Sequence, residues 1–148
     1  MSSLFRDLQT AVGLRLKSIS EYGGPLALDP VLEIEGDLDA KIERRIAKTG
    51  LGLLVLTPKL EPGPSDNQVT VSVVLMLIEK PIANRDTGGT RLPALEVLDS
   101  ILAVLHDWSP SDPWSALDFT GCELVQTDPA LAYEATWKTS TLLTLNES

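Results

Sequence analysis

The only histidine of the chain, His106, is followed directly by Asp107, and a histidine beside a carboxylate is a pair that general-base chemistry would use. Both residues fall at the end of an apolar helical repeat. Adjacent helix residues diverge, and a histidine in the last turn is favoured by the helix dipole, so a helix-end role is the better reading. With the one histidine so placed, the many serines and threonines cannot complete a Ser-His-Asp arrangement. Five acids, Asp29, Glu33, Glu35, Asp37 and Asp39, lie close enough in sequence to collect a hard cation such as calcium. Their spacing does not follow the calcium-loop order, and a capping role accounts for Asp37. The expectation is a solvated acidic face that also suits the basic face of a neighbouring subunit.

The glycine-rich stretch from Asn84 to Arg91 lacks the G-x-x-x-x-G-K-S/T order that cradles a nucleotide phosphate. It reads as a flexible polar connection, or as an arm carrying Arg85, Asp86 and Arg91 that orders when a partner subunit arrives. Cys122 is the single cysteine, so neither an internal disulfide nor a zinc cluster is available to it, and a small buried hydrophobe is expected. No catalytic, metal-binding or cofactor-binding residue is assigned, and no cofactor. An enzyme would have to work through carboxylates alone, and the chain is not expected to be one.

Around these residues the hydrophobic spacing lays out the elements. Leu4, Leu8, Ala11, Val12, Leu16 and Ile19 share one helical face, and Tyr22 to Pro25 end it. The stretch Leu26 to Gly36 reads as loop. Asp37 stands at an N-cap position before a short helix from Leu38 to Lys48, with Leu38, Ile42 and Ile46 inward, Gly50 as its stop, and Lys41, Arg44, Arg45 and Lys48 on its other face. A strand from Leu51 to Thr57 is closed by Pro58, and a loop from Glu61 to Asn67 turns the chain back. The clearest strand follows, with Val69, Val71, Val73, Leu75 and Leu77 alternating against Gln68, Thr70 and Ser72. Its second half is apolar on both faces, which calls for helices on one side and a neighbouring chain or segment on the other.

The longest helix spans Leu92 to His106, with Leu95, Leu98, Ile101, Leu102 and Leu105 as its main stripe, widened by Ala94, Val97 and Val104, so that it should be well buried. Pro110 and Pro113 break the chain between Trp108 and Trp114. These two tryptophans read first as a plug at the end of the core and second as interface anchors. Strands near Phe119 to Gln126 and Ala132 to Leu143 close the chain, the last one alternating Tyr133, Ala135 and Trp137 against Glu134, Thr136 and Lys138. The expected fold is α+β, one domain over residues 1–148: a mostly antiparallel four-stranded sheet with helices packed on one face.

A chain of 148 residues that is 43% hydrophobic and 22% charged has enough apolar surface for a core of its own, without disulfides. Arg6 and Asp7 interrupt the opening where a signal peptide needs its apolar centre, and no stretch reaches the 18 or so apolar residues of a membrane span. A cytoplasmic protein is expected, unless it leaves as part of an assembly. The net charge of −9 is uneven: twelve acids and eleven bases precede residue 92, and nine acids and only Lys138 follow it. Such a field repels phosphate, which argues against a specific nucleic-acid grip.

The order VSVVLMLIEK, a polar loop, LPALEVLDSILAVLHDW, P-x-x-P-W, FTGCELV and YEATWKTST resembles the tail-terminator and minor tail proteins of long-tailed bacteriophages, over residues 68–143. The helix ends in an L-x-x-W-x-P-like segment, here Leu105 to Pro110. The resemblance implies a structural virion protein, assembled in the host cytoplasm. It would form a hexameric ring on the tail tube, stop the tube's growth and offer a surface to the head-tail connector. The charge pattern agrees, since a basic helix face and an acidic C-terminal part supply two different patches for a ring. An acidic lumen would let DNA pass unheld. Candidate subunit or tube contacts are Lys41, Arg44 and Arg45, the loop residues Arg85, Asp86 and Arg91, and Trp108 and Trp114. Alternatives are a head-tail joining protein on the connector side, or a small bacterial regulatory or immunity module whose acidic face mimics nucleic acid.

Overall fold

A computed structural model describes residues 4–17, 30–63, 65, 67–80, 94–110 and 114–142. The elements are α1 (Leu4–Lys17), β1 (Val31–Leu32), a 3-10 turn (Glu33–Glu35), α2 (Leu38–Thr49), β2 (Leu51–Pro62), β3 (Gln68–Glu79), α3 (Ala94–Leu105), β4 (Asp118–Gln126) and β5 (Leu131–Leu142). The sheet order is β1-β2-β3-β5-β4, with β1 parallel to β2 and every other pair antiparallel. The fold is α+β, as the spacing predicts, but the sheet has five strands and is mixed.

The extra strand comes from the stretch read as loop. Val31 is fully buried and pairs with Leu54, so two apolar residues are enough to add a parallel edge. β2 is also longer than expected, because Pro58 does not end it. The ladder shifts between Leu56 and Lys59, and this bulge takes up a residue that has no N–H to donate. The register then resumes to Pro62.

Helices cover both faces of the sheet, not one. Alternation places Leu53, Val55, Val71, Val73, Leu75, Ala135 and Trp137 on a first face, packed with Leu8, Val12 and Leu16 of α1 and Val97, Ile101 and Leu105 of α3. On the second face Ile42 and Ile46 of α2 pack with Val31, and Leu54 and Ile78 close the edge of this smaller core. Gly52 makes that contact possible: a Cβ there would stand 2.6 Å from Cδ1 of Ile42 and 3.1 Å from Cγ1 of Ile46. The two-sided apolar pattern of β3 is thus answered in part by α2, a segment of the same chain.

The ends of α2 agree with the expected limits but not with the expected cap. Gly50 ends it in the left-handed region, φ 79°, its N–H donating to the carbonyl of Ile46 at 2.7 Å. Asp37 stands at the N-cap position with φ 52° and makes no side-chain capping bond, so it marks the helix start without capping it. A hydrogen-bonded knot around the buried Gln9 joins three elements instead. Gln9 Nε2 donates to Glu33 Oε1 at 2.9 Å and to Thr57 Oγ1 at 3.0 Å, while Gln9 Oε1 accepts the N–H of Ile34 at 3.0 Å. Gln9 is 2% exposed, and these bonds satisfy the polar end of a residue in an otherwise apolar helix face.

Candidate assembly surfaces

His106 and Asp107 lie in an exposed turn just past α3, where the N–H of His106 donates to the carbonyl of Leu102 at 2.9 Å and Asp107 takes φ 59°. Both residues serve the chain reversal. The acidic group near residue 35 is spread out. Glu33 Oε1 accepts the N–H of Thr57 at 2.8 Å, and Glu35 accepts the N–H of Leu32 at 2.7 Å and lies 3.6 Å from Lys41 Nζ. Asp29 lies outside the described residues. Among the described residues no three His, Cys, Asp or Glu side chains converge as a metal set, and no helix is long and apolar enough to cross a membrane.

The hydrogen bonds from Thr57 and Gln9 outweigh burial and hold the Glu33 carboxyl below its ordinary value. A depressed folded-state value means that its contribution to stability is complete above the ordinary glutamate range and is lost as pH falls through the folded value. Glu33→Gln is therefore expected to destabilise the protein at neutral pH. Because Glu33 is exposed, the loss is on the order of 1 kcal/mol or less. Urea unfolding midpoints of the two proteins should converge on acidification below the glutamate range.

The candidate contacts fare unequally. Lys41 is half-buried, its Nζ donating to the Glu35 carbonyl at 3.1 Å, while Arg44 stands exposed and Arg45 half-buried on α2. Arg85, Asp86 and Arg91 lie outside the described residues. Trp114 is 3% exposed, with its ring 5.9 Å from that of Phe5, so it is a core plug and is corrected as a candidate surface contact. Trp108 is half-buried against the same core and has the Arg15 guanidinium 5.5 Å from its ring centre. These two rings close one end of the core.

Among the described residues lies an apolar opening that the spacing did not single out. Leu95, assigned to the buried stripe of the long helix, is 60% exposed, because the inward face of α3 runs through Ala94, Val97, Leu98, Ile101 and Leu105. Leu95 and Leu102 line a groove of about 480 Å³ whose other wall is Phe119, Leu124 and Tyr133. Glu96, Asp99 and Glu123 also line it, and among the described residues that line it none is basic. Cys122 lies here too, on an exposed strand and not in the core. Partial burial, and secondarily the charge of Glu123, raise its thiol pKa, which leaves it a weak nucleophile. One sequence signal marks the groove: Asp99 falls at helical spacing between Leu95 and Leu102, so that face of the helix cannot be wholly inward.

The described residues thus define an α+β protein with a five-stranded mixed sheet and an acidic apolar groove between α3 and β4. Compared with known proteins, the chain matches no family model, and no curated protein matches it.

Proposed function

We propose that the chain is a structural subunit of a phage tail, a terminator that forms a ring on the end of the tail tube, stops its growth and receives the head-tail connector. The observation that carries this reading is the residue order over 68–143: strand, polar loop, helix, L-x-x-W-x-P segment and two closing strands. The described segments of that stretch also lie together in space, with β3, β5 and β4 adjacent in the sheet and α3 packed on it. Exposed apolar side chains beside carboxylates suit protein contacts better than bond-making chemistry. A connector-side joining protein would use the same sheet and differ only in its place in the particle. Purified protein mixed with preassembled tail tubes is expected to sediment with them and to appear as a disc at one tube end in negative stain. Tubes that stay bare at saturating protein would remove the reading.

A further inference from the structure

Two exposed helix ridges of opposite charge lie at the two edges of the sheet. At the β4 edge, Glu96 and Asp99 stand exposed one turn apart on α3 and rim the apolar groove, with Glu123 on its other wall. None of these carboxylates is engaged in an ion pair or side-chain hydrogen bond among the described residues. At the other edge, α2 lies over β1 and β2, and its outward side carries Arg44 and Lys48, also exposed and one turn apart. Lys41 is held by Glu35, and Arg45 has a partner of its own within the chain. Arg44 and Lys48, in contrast, make no ion pair or side-chain hydrogen bond among the described residues. Only the small Ala40 and Ala47 stand beside them on the outward side, while Asp39 and Glu43 fall on the other flank of the helix.

We infer that α2 of one copy of this chain packs along the α3-β4 groove of the next, with Arg44 and Lys48 set against Glu96 and Asp99. A long cationic side chain suits an acid-rimmed apolar groove, because its methylene stem covers the apolar floor while its head reaches the charged rim. The floor offers Leu95, 60% exposed, and Leu124, 46% exposed, for those stems. Equal one-turn spacing lets both charge pairs form together between two helices lying side by side. Such pairs fix the partner and its register more than they add affinity. Two grooves facing each other would oppose carboxylate to carboxylate, and two α2 ridges cation to cation, so a two-fold pairing through either patch is disfavoured. The patches also lie on opposite faces of the sheet, α2 on the second and the groove, through Ala135, on the first. One copy therefore meets the next head to tail, an arrangement that makes rings or open chains.

This inference deepens the assembly reading above, on which it rests only for closure into a ring. Equal amounts of unlabelled and 15N-labelled full-length protein, concentrated together, can be treated with a carbodiimide that joins carboxylates to lysine amines. Mixed-isotope crosslinks from Lys48 to Glu96, Asp99 or Glu123 are expected; their absence, or mixed links confined to other surfaces, would overturn the contact. Sedimentation then checks the charges with chains whose folding is verified by circular dichroism. Glu96→Lys with Asp99→Lys, or Arg44→Glu with Lys48→Glu, is expected to weaken association about tenfold or more, since each change sets like charges against each other. All four changes in one chain should restore it, and failure to do so would overturn the charge pairing. The expected links on a protein that ignores tail tubes would uphold the contact and remove the terminator reading. Tube binding without those links would do the reverse.

Discussion

Trp137→Ala is expected to lower stability by about 3–5 kcal/mol, the usual cost of emptying an aromatic site in a core that relaxes only in part. Trp137 is fully buried at the centre of β5, paired with Val73 on one side and Phe119 on the other, and its ring lies 5.3 Å from that of Phe119. It fills the space where the sheet meets the helices, so its loss opens a cavity in the main core and not at an edge. For a chain of this length the midpoint of thermal unfolding should fall by about 10 °C or more. Trp137→Phe should cost clearly less, because a ring remains and the indole N–H, which has no hydrogen-bond partner among the described residues, is removed. Calorimetry on the three proteins checks the order.

The second large effect is at Glu79. This residue ends β3 and is 4% exposed, and its carboxylate accepts the N–H of Ala94, the first residue of α3, at 3.2 Å. An acid at a helix start satisfies one of the unpaired N–H groups there and lies favourably in the helix dipole. Glu79→Ala removes both and leaves a buried donor unmatched, for an expected loss of about 2–3 kcal/mol. Glu79→Gln keeps an oxygen in place and loses the charge, so it should fall between wild type and alanine. Amide exchange adds a local readout: the first turn of α3 should lose protection in Glu79→Ala before the strands do. That turn carries Leu95 and Glu96, so the same change should loosen the groove.

Much of the fold was legible because burial imposes a period on it. The alternation of Val69 to Leu77 and of Tyr133 to Trp137 places each residue on the face where it is found, and the four-residue spacing of Leu8, Val12 and Leu16 does the same for α1. What escaped were features that depend on distant partners. Val31 and Leu32 are too few to show a period, and they become a strand only because β2 offers an edge beside them. Pro58 reads locally as an ending, and only the register with β3 shows a bulge that tolerates it. The close packing of α2 on the second face uses the open space at Gly52, a residue whose missing side chain is informative only once Ile42 is known to lie over it. Spacing alone could not separate Trp114 as core from Trp114 as surface, nor show that Cys122 would be exposed, and for Leu95 its one signal is Asp99 on the same helix face. Those outcomes follow from how α3 is rotated on the sheet and from β4 being its edge.

The claim on which the functional reading depends is that this chain ends tail growth. Electron microscopy of particles produced with and without it, from a genome that encodes it, measures this directly. Without the protein, tails of irregular and excessive length, or tails detached from heads, are expected, and supplying the protein in trans should restore uniform attached tails. Tails of normal length joined to heads in its absence would contradict the account.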